Sequence, residues 1–442
     1  VGLGSGAFGT GLTTGTDNVA IGENAGDALT SGSDNTFVGD NAGGATTTGA
    51  NNVAIGSESL DANTTGAANT SVGKGALTTN TTGDSNVAVG KGALEASTTA
   101  SNNTAVGASS LEANTSGDNN VAVGKSSLLA NTTGDKNTAM GIEALKTNTV
   151  GDRSVAIGYQ ALYTQNPATN ADMFNVAVGN GALFSSTTAV SNTAVGGNAL
   201  NADTTGGYNV AVGKDALTAN TTASNNVAVG FASLDANTTG AHNTAVGQAS
   251  LGANTTANNN TAVGSGSLAA NTTGTSNTAV GYQALTTATT ADNNTALGYN
   301  AGDALTTGAD NVAIGTVALS AATTADKNTA VGSSALVSAT TGGFNTAVGF
   351  NAGGSITTGA QNTIMGHRAG DALTTGTFNT ALGDYALSAA TTSTANVAVG
   401  KDALLRVTTG NGGNVAIGYV AGDHITTGET NVLVGANSGD AL

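Results

Sequence analysis

The residues of this chain that could do chemistry are few and scattered. Three histidines, His242, His367 and His424, are the only imidazoles in 442 residues, and there is no cysteine. Catalysis or metal binding requires such groups to converge on one place. The acidic residues do not follow the nonapeptide calcium pattern. The 66 glycines form no phosphate loop or dinucleotide fingerprint with its flanking helix. Asn-Thr-Thr at Asn63, Asn80, Asn131 and Asn220 matches the N-glycosylation acceptor, but a repeat described below generates it without any need for a sugar. No catalytic residue, cofactor or metal is expected, and the chain is read as a non-enzyme.

Composition narrows the class further. Charged residues are 9% of the chain and aromatics 3%, with no Trp and one Pro; an ordinary soluble domain carries about 25% charge. An aromatic-centred enzyme core cannot be built from this. Disorder is equally excluded, because 39% of the chain is hydrophobic and strictly placed. Eleven basic residues against 28 acidic ones, a net charge of −17, oppose nucleic acid binding. No apolar run reaches the length of a membrane span, so no membrane insertion is expected, and no secretory signal opens the sequence.

What positions these residues is a repeat. A block reading Asn-(Val/Thr)-Ala-Val-Gly recurs every 17 residues from Asn18 to Asn137. Ser154 then replaces Asn, its unit is four residues longer, and the block resumes at Asn175 and runs to Asn396, with one extra residue before Asn414. Residues 1–442 thus read as one continuous array of 26 units: a degenerate first unit 1–17, a long unit 154–174 and a truncated last unit 431–442. With Asn as position one, position five is Gly in all 25 units from Asn18 onward, and position eight is Ala or Ser. Charge gathers at positions six, seven, ten, sixteen and seventeen, as in Lys74, Lys136 and Asp135.

One covariation bears on packing. Most units have Leu at position nine, as in Leu60 and Leu94; where Gly stands there, a large aliphatic appears at position twelve, as in Gly26 with Leu29, Gly302 with Leu305, Gly353 with Ile356 and Gly439 with Leu442. Gly43, with Thr46, is the exception. Positions that substitute for one another fill one internal volume, and an offset of three fits a bend or a single helical turn better than a straight strand.

The segment from position two to four is rich in β-branched residues and followed by an obligatory Gly, which predicts a short strand and a turn. Seventeen residues make one coil of an all-β parallel solenoid of about 26 coils, stacked at about 4.8 Å. Along the strand, side chains alternate between faces. Position three is Ala in 21 of 25 units, the others being Phe37, Ser71, Ile364 and Leu433, and never charged. The column containing Ala88, Ala105, Ala122, Ala211 and Ala228 is therefore expected to contact other copies of the chain. The alternative is a flattened coil whose second wall covers that face.

Asn-Val-Ala-Ile-Gly at Asn52 to Gly56 resembles the head repeat of trimeric autotransporter adhesins, and Asn-Thr-Ala-Val-Gly-Tyr-Gln-Ala-Leu at Asn277 to Leu285 is similar to repeats of phage tail fibres and of bacterial surface fibres. The resemblance covers the strand-and-Gly half of every unit, whereas the adhesin heads use a shorter unit. It implies a left-handed β-roll and a homotrimer, and transfers no ligand-binding residue.

These observations lead to a structural, adhesive fibre, extracellular on a cell surface or virion, whose partner is itself and whose ligand is a cell-surface group or glycan. Alternatives are an end-to-end filament or tail-fibre shaft, suggested by the lack of recognisable caps, and an ice-binding solenoid. The last rests on a Thr column at position thirteen, as in Thr64, Thr81, Thr98 and Thr115, which a turn ladder also explains. The long unit supplies a candidate binding loop, Tyr163, Pro167 and Phe174. Shortening it to 17 residues is expected to leave stability unchanged. Exposed rings such as Tyr282, Tyr299, Phe350 and Phe378 are candidate sugar contacts.

Overall fold

The structure, a computed structural model, describes residues 1–9, 11, 14–410 and 412–439. The expectation resting on Leu442 lies outside the described residues. Strands and turns account for all the regular structure among them; there is no helix. The chain divides into two compact units, Val1–Ser224 and Asn225–Leu442. In the first, the two-residue strand Gly2–Leu3 is followed by twelve three-residue strands from Val19–Ile21 to Val210–Val212; the second has thirteen, from Val227–Val229 to Val432–Val434. Within each unit every such strand pairs in parallel with the next and in strict register, for example Ala88 beside Ala105 and Val89 beside Val106. The fold is a parallel β-solenoid of about 25 turns, as the 17-residue period predicts.

Register begins at the glycine of position five. Gly107 has φ +137°, and a Cβ there would lie 2.6 Å from the carbonyl oxygen of Gly124 in the next coil. Both the backbone conformation and the closeness of the neighbouring coil exclude a side chain, so the position is invariant for two independent reasons. The chain then turns back and lays down a second wall, which hydrogen-bonds to the next coil as regularly as the strands do. Leu60, Ala62 and Thr64 donate their amides to the carbonyls of Ala76, Thr78 and Thr81, each at 2.9 Å.

Between the two walls lies a thin core. Positions one, three, eight, nine, twelve and fifteen point inward. The expectation for the alanine column is corrected here: Ala88, Ala105, Ala122, Ala211 and Ala228 are each 0% exposed within the single chain. They are small because the second wall passes directly over them, and they cannot meet another copy. The flattened coil is the arrangement that the structure adopts. Position nine fills the remaining volume with leucines held at left-handed φ, such as +54° at Leu60 and +53° at Leu94. That conformation costs an L-residue about 1–2 kcal/mol, and full burial of the side chain, worth about 1.5–3 kcal/mol, offsets it. Glycine suits the same φ, so Leu and Gly are the residues that alternate there.

The exceptions in the sequence compensate one another. Phe37 replaces Ala at position three, and its ring fills the space left by the two glycines beside it: a Cβ on Gly26 would come within 2.9 Å of that ring and one on Gly43 within 2.6 Å. Gly43 therefore needs no large partner at position twelve, which explains Thr46. Ile364 lies in the same way against Gly353 and Gly370, and Leu433 against Gly422. Ser71 is matched by Ser59, whose hydroxyl donates to its Oγ at 2.7 Å. Core volume is thus conserved between neighbouring coils as well as within each.

Gly107→Ala should destabilise its coil by at least about 3 kcal/mol. Chemical denaturation monitored by hydrogen exchange should show the loss centred on residues 87–124; an unchanged exchange pattern would contradict the close approach described.

Candidate functional site

The asparagine of position one directs its side chain into the coil. Asn35 is typical: its amide N–H and its Nδ2 both donate to Oδ1 of Asn18, at 2.9 and 3.0 Å, and Nδ2 also donates to the carbonyl of Gly49 at 3.0 Å. The next coil repeats the arrangement, with Asn52 on Asn35. A second amide column stands at position twelve, where Asn80 and Asn131 donate to Asn63 and Asn114 at 3.0 and 2.7 Å. The sequence suggests only that Asn suits a corner; near-invariance of a polar residue inside an apolar repeat was the available signal for a buried ladder. These amides also settle the glycosylation pattern, since Asn63, Asn80, Asn131 and Asn220 are each 0% exposed.

The long coil breaks this ladder and repairs it. Ser154 is too short to reach the next coil, and Gln165 takes over. Its amide lies 3.1 Å from Ser154 Oγ, its Nε2 donates to Asn148 Oδ1 at 3.3 Å, and its Oε1 accepts from Asn175 Nδ2 at 3.0 Å. Pro167 is buried with Met173, both packing over Gly151. A small parallel pair, Gly151–Asp152 with Ala171–Asp172, anchors the excursion.

The three candidate loop residues therefore do not share one environment. Pro167 is core. Tyr163 is half-buried and stacked on Phe184, with ring centroids 5.1 Å apart, and Lys146 Nζ lies 5.4 Å from its ring. Phe174 is 50% exposed and lies beneath the guanidinium of Arg153, which pairs with Asp172 at 2.6 Å. Burial of Gln165, Pro167 and Met173 speaks against a neutral shortening of the unit: these residues plug the coil they enlarge.

Elsewhere the outward rings also stack between coils. Tyr282 and Tyr299 lie 5.5 Å apart at 11°, and His367 stacks on Phe350, meets Tyr385 edge-on, and has its Nδ1 2.9 Å from Asp384 Oδ1. One face each of Tyr282, Tyr299 and Phe350 is thereby occupied by a neighbouring ring. The three histidines are exposed and far apart in sequence, in three different coils. Among the described residues no group of three or more histidines or acidic residues could hold a metal ion. The Thr column of position thirteen is a ladder of internal bonds, with Thr64 Oγ1 donating to the carbonyl of Thr81 at 2.9 Å and Thr81 Oγ1 to that of Thr98 at 2.9 Å. Its hydroxyl protons are used by the fold.

The outer face of the strands is a regular, uncharged surface in each unit. Positions two and four point outward, the former Val or Thr and the latter Val, Ile, Leu or Met, without one charge in 25 coils. Val89 and Val106 are 36% exposed, Ile157 38%, Met365 40% and Leu382 46%. No protein-family model matches the chain, and no curated protein matches it.

Gln165→Leu should destabilise the long coil by about 2–3 kcal/mol, because it strips partners from buried Ser154 and Asn175, whereas Phe174→Ala should cost under about 1 kcal/mol. Urea denaturation of the two variants measures the contrast, and equal effects would remove the repair role given to Gln165.

Proposed function

We propose that the chain is a structural, adhesive segment of an extracellular fibre, displayed on a cell surface or virion, in which several copies associate through the outer strand face. The observation that carries this reading is the lack of charge at positions two and four. A face bathed in water collects Lys, Asp and Glu when sampled this often, as positions six, seven, ten and seventeen do. An uncharged, flat, β-branched face in a chain of net charge −17 is suited to burial.

The occupant that fits is the same face of other copies, in a homotrimer as the resemblance to adhesin heads implies. Strands about 10 Å long at about 4.8 Å spacing give each twelve- or thirteen-coil unit roughly 600 Å² of such face, close to the roughly 800 Å² per partner of a standard interface. Strict register makes the face self-complementary along its length. The half-exposed rings of position six, such as Tyr159, Phe231 and Tyr419, lie one residue past the glycine corner and remain outside this contact. There they are available to a cell-surface group or glycan.

Light scattering of the purified chain should give three times its 42.0 kDa mass. Combined Val89→Lys, Val106→Lys and Val123→Lys should reduce that mass while leaving the β circular dichroism intact, since these side chains face outward. A wild-type mass of 42.0 kDa, or a variant whose assembly is unaltered, would defeat the proposal.

A further inference from the structure

Position twelve of the coil beginning at Asn192 holds an acid where nine other coils hold Asn. Asp203 is 0% exposed. Its Oδ1 accepts from Asn220 Nδ2 at 2.9 Å, in the next coil, and its Oδ2 accepts from Asn192 Nδ2 at 3.4 Å, in its own. The preceding coil puts Ser186 at the same position, and Ser186 Oγ is buried without a hydrogen-bond partner. In regular coils the side-chain amide at position twelve donates backward to the residue one coil earlier, as Asn80 does to Asn63. An ionised Asp203 has nothing to donate. A protonated one has a proton to donate, as the asparagines of this column do.

We infer that Asp203 is a proton-dependent weak point of the solenoid: its coil closes fully when the carboxyl is protonated and takes the place of an asparagine amide, and opens locally when the proton leaves. The cause is burial. Removal from water pushes the Asp203 carboxyl up to about 7, against smaller opposing contributions from its bonds to Asn220 and Gly206. No charge assists from the elements packed on it. The coil of residues 175–191 contains no charged residue, Asp203 is the only one in its own coil, and Lys214 and Asp215 of the next coil pair with each other on the outer surface. Tyr208, the other titratable group of the coil, is 62% exposed.

The sign follows from the raised value. A group that binds its proton more tightly when folded contributes stability that is complete below its unfolded value, near 4, and lost as pH rises through about 7. Across that window the opening equilibrium of this coil should increase by up to about tenfold per pH unit, roughly a thousandfold in all, and level off above it.

Hydrogen exchange of the intact chain between pH 5 and 9, corrected for intrinsic rates and compared with Asp203→Asn, tests this. The wild-type to variant ratio of opening should rise with pH in peptides covering 186–220 and stay flat in the coil of residues 294–310. Asn occupies the same position at Asn220, and Ser at Ser186, so Asp203→Ser serves as a second neutral variant if the first is altered in fold. The same pH dependence in wild type and both variants would overturn the inference. So would a carbon-13 titration placing the Asp203 carboxyl in the ordinary carboxylate range.

Discussion

The side-chain amide of asparagine is the piece on which this structure depends. It carries an acceptor that can take two bonds and two N–H donors, and position one uses them all in directions fixed by the coil. Oδ1 receives the backbone and the side chain of the following asparagine, while Nδ2 holds the carbonyl that closes its own coil. The amide therefore ties the corner before the strand to the end of the same circuit, and ties each circuit to the next. A core one leucine and a few alanines wide buries too little apolar surface to fix a conformation by itself. The position-one column does the fixing, and it tolerates burial because its amides are hydrogen-bonded from coil to coil.

Much of this was legible in the sequence. The period, the strand at positions two to four and the glycine turn are local features that recur often enough to be read directly. The direction of the strand's two faces was not. Both faces lack charge, so the usual contrast between polar and apolar sides is missing, and the alanines at position three were assigned to the outside. Side-chain size held the clue. Two walls in close contact leave room for Ala88 or Ala105 but not for Val89 or Val106, so the larger residues are the outward ones. The covariation of positions nine and twelve was the one sequence signal that reported volume, and it pointed to the correct interior.

The long coil shows what remains hidden from pattern reading. Ser154, Gln165, Pro167 and Met173 look like four unrelated departures from the repeat. In space they are one adjustment: a longer circuit moves the carbonyl that position one would bind, a shorter side chain stands at position one, a longer amide at position twelve restores the bonds, and two apolar residues fill the enlarged interior. Phe37 with its two glycines is the same kind of adjustment made with a ring.

Strict register between equivalent positions also bears on how such a gene changes length. Coils with Asn at position one, Ala at position three and Leu at position nine offer their neighbours the same backbone groups and the same amide, so such a coil copied or deleted as a whole leaves the flanking joints unaltered. Val and Thr alternate at position two in nine successive strands from Val19 to Val155, a 34-residue period laid over the 17-residue one. Backbone pairing has no use for that alternation, since both residues fit the pleat equally well. The alternation is carried by side chains that the fold leaves free to differ.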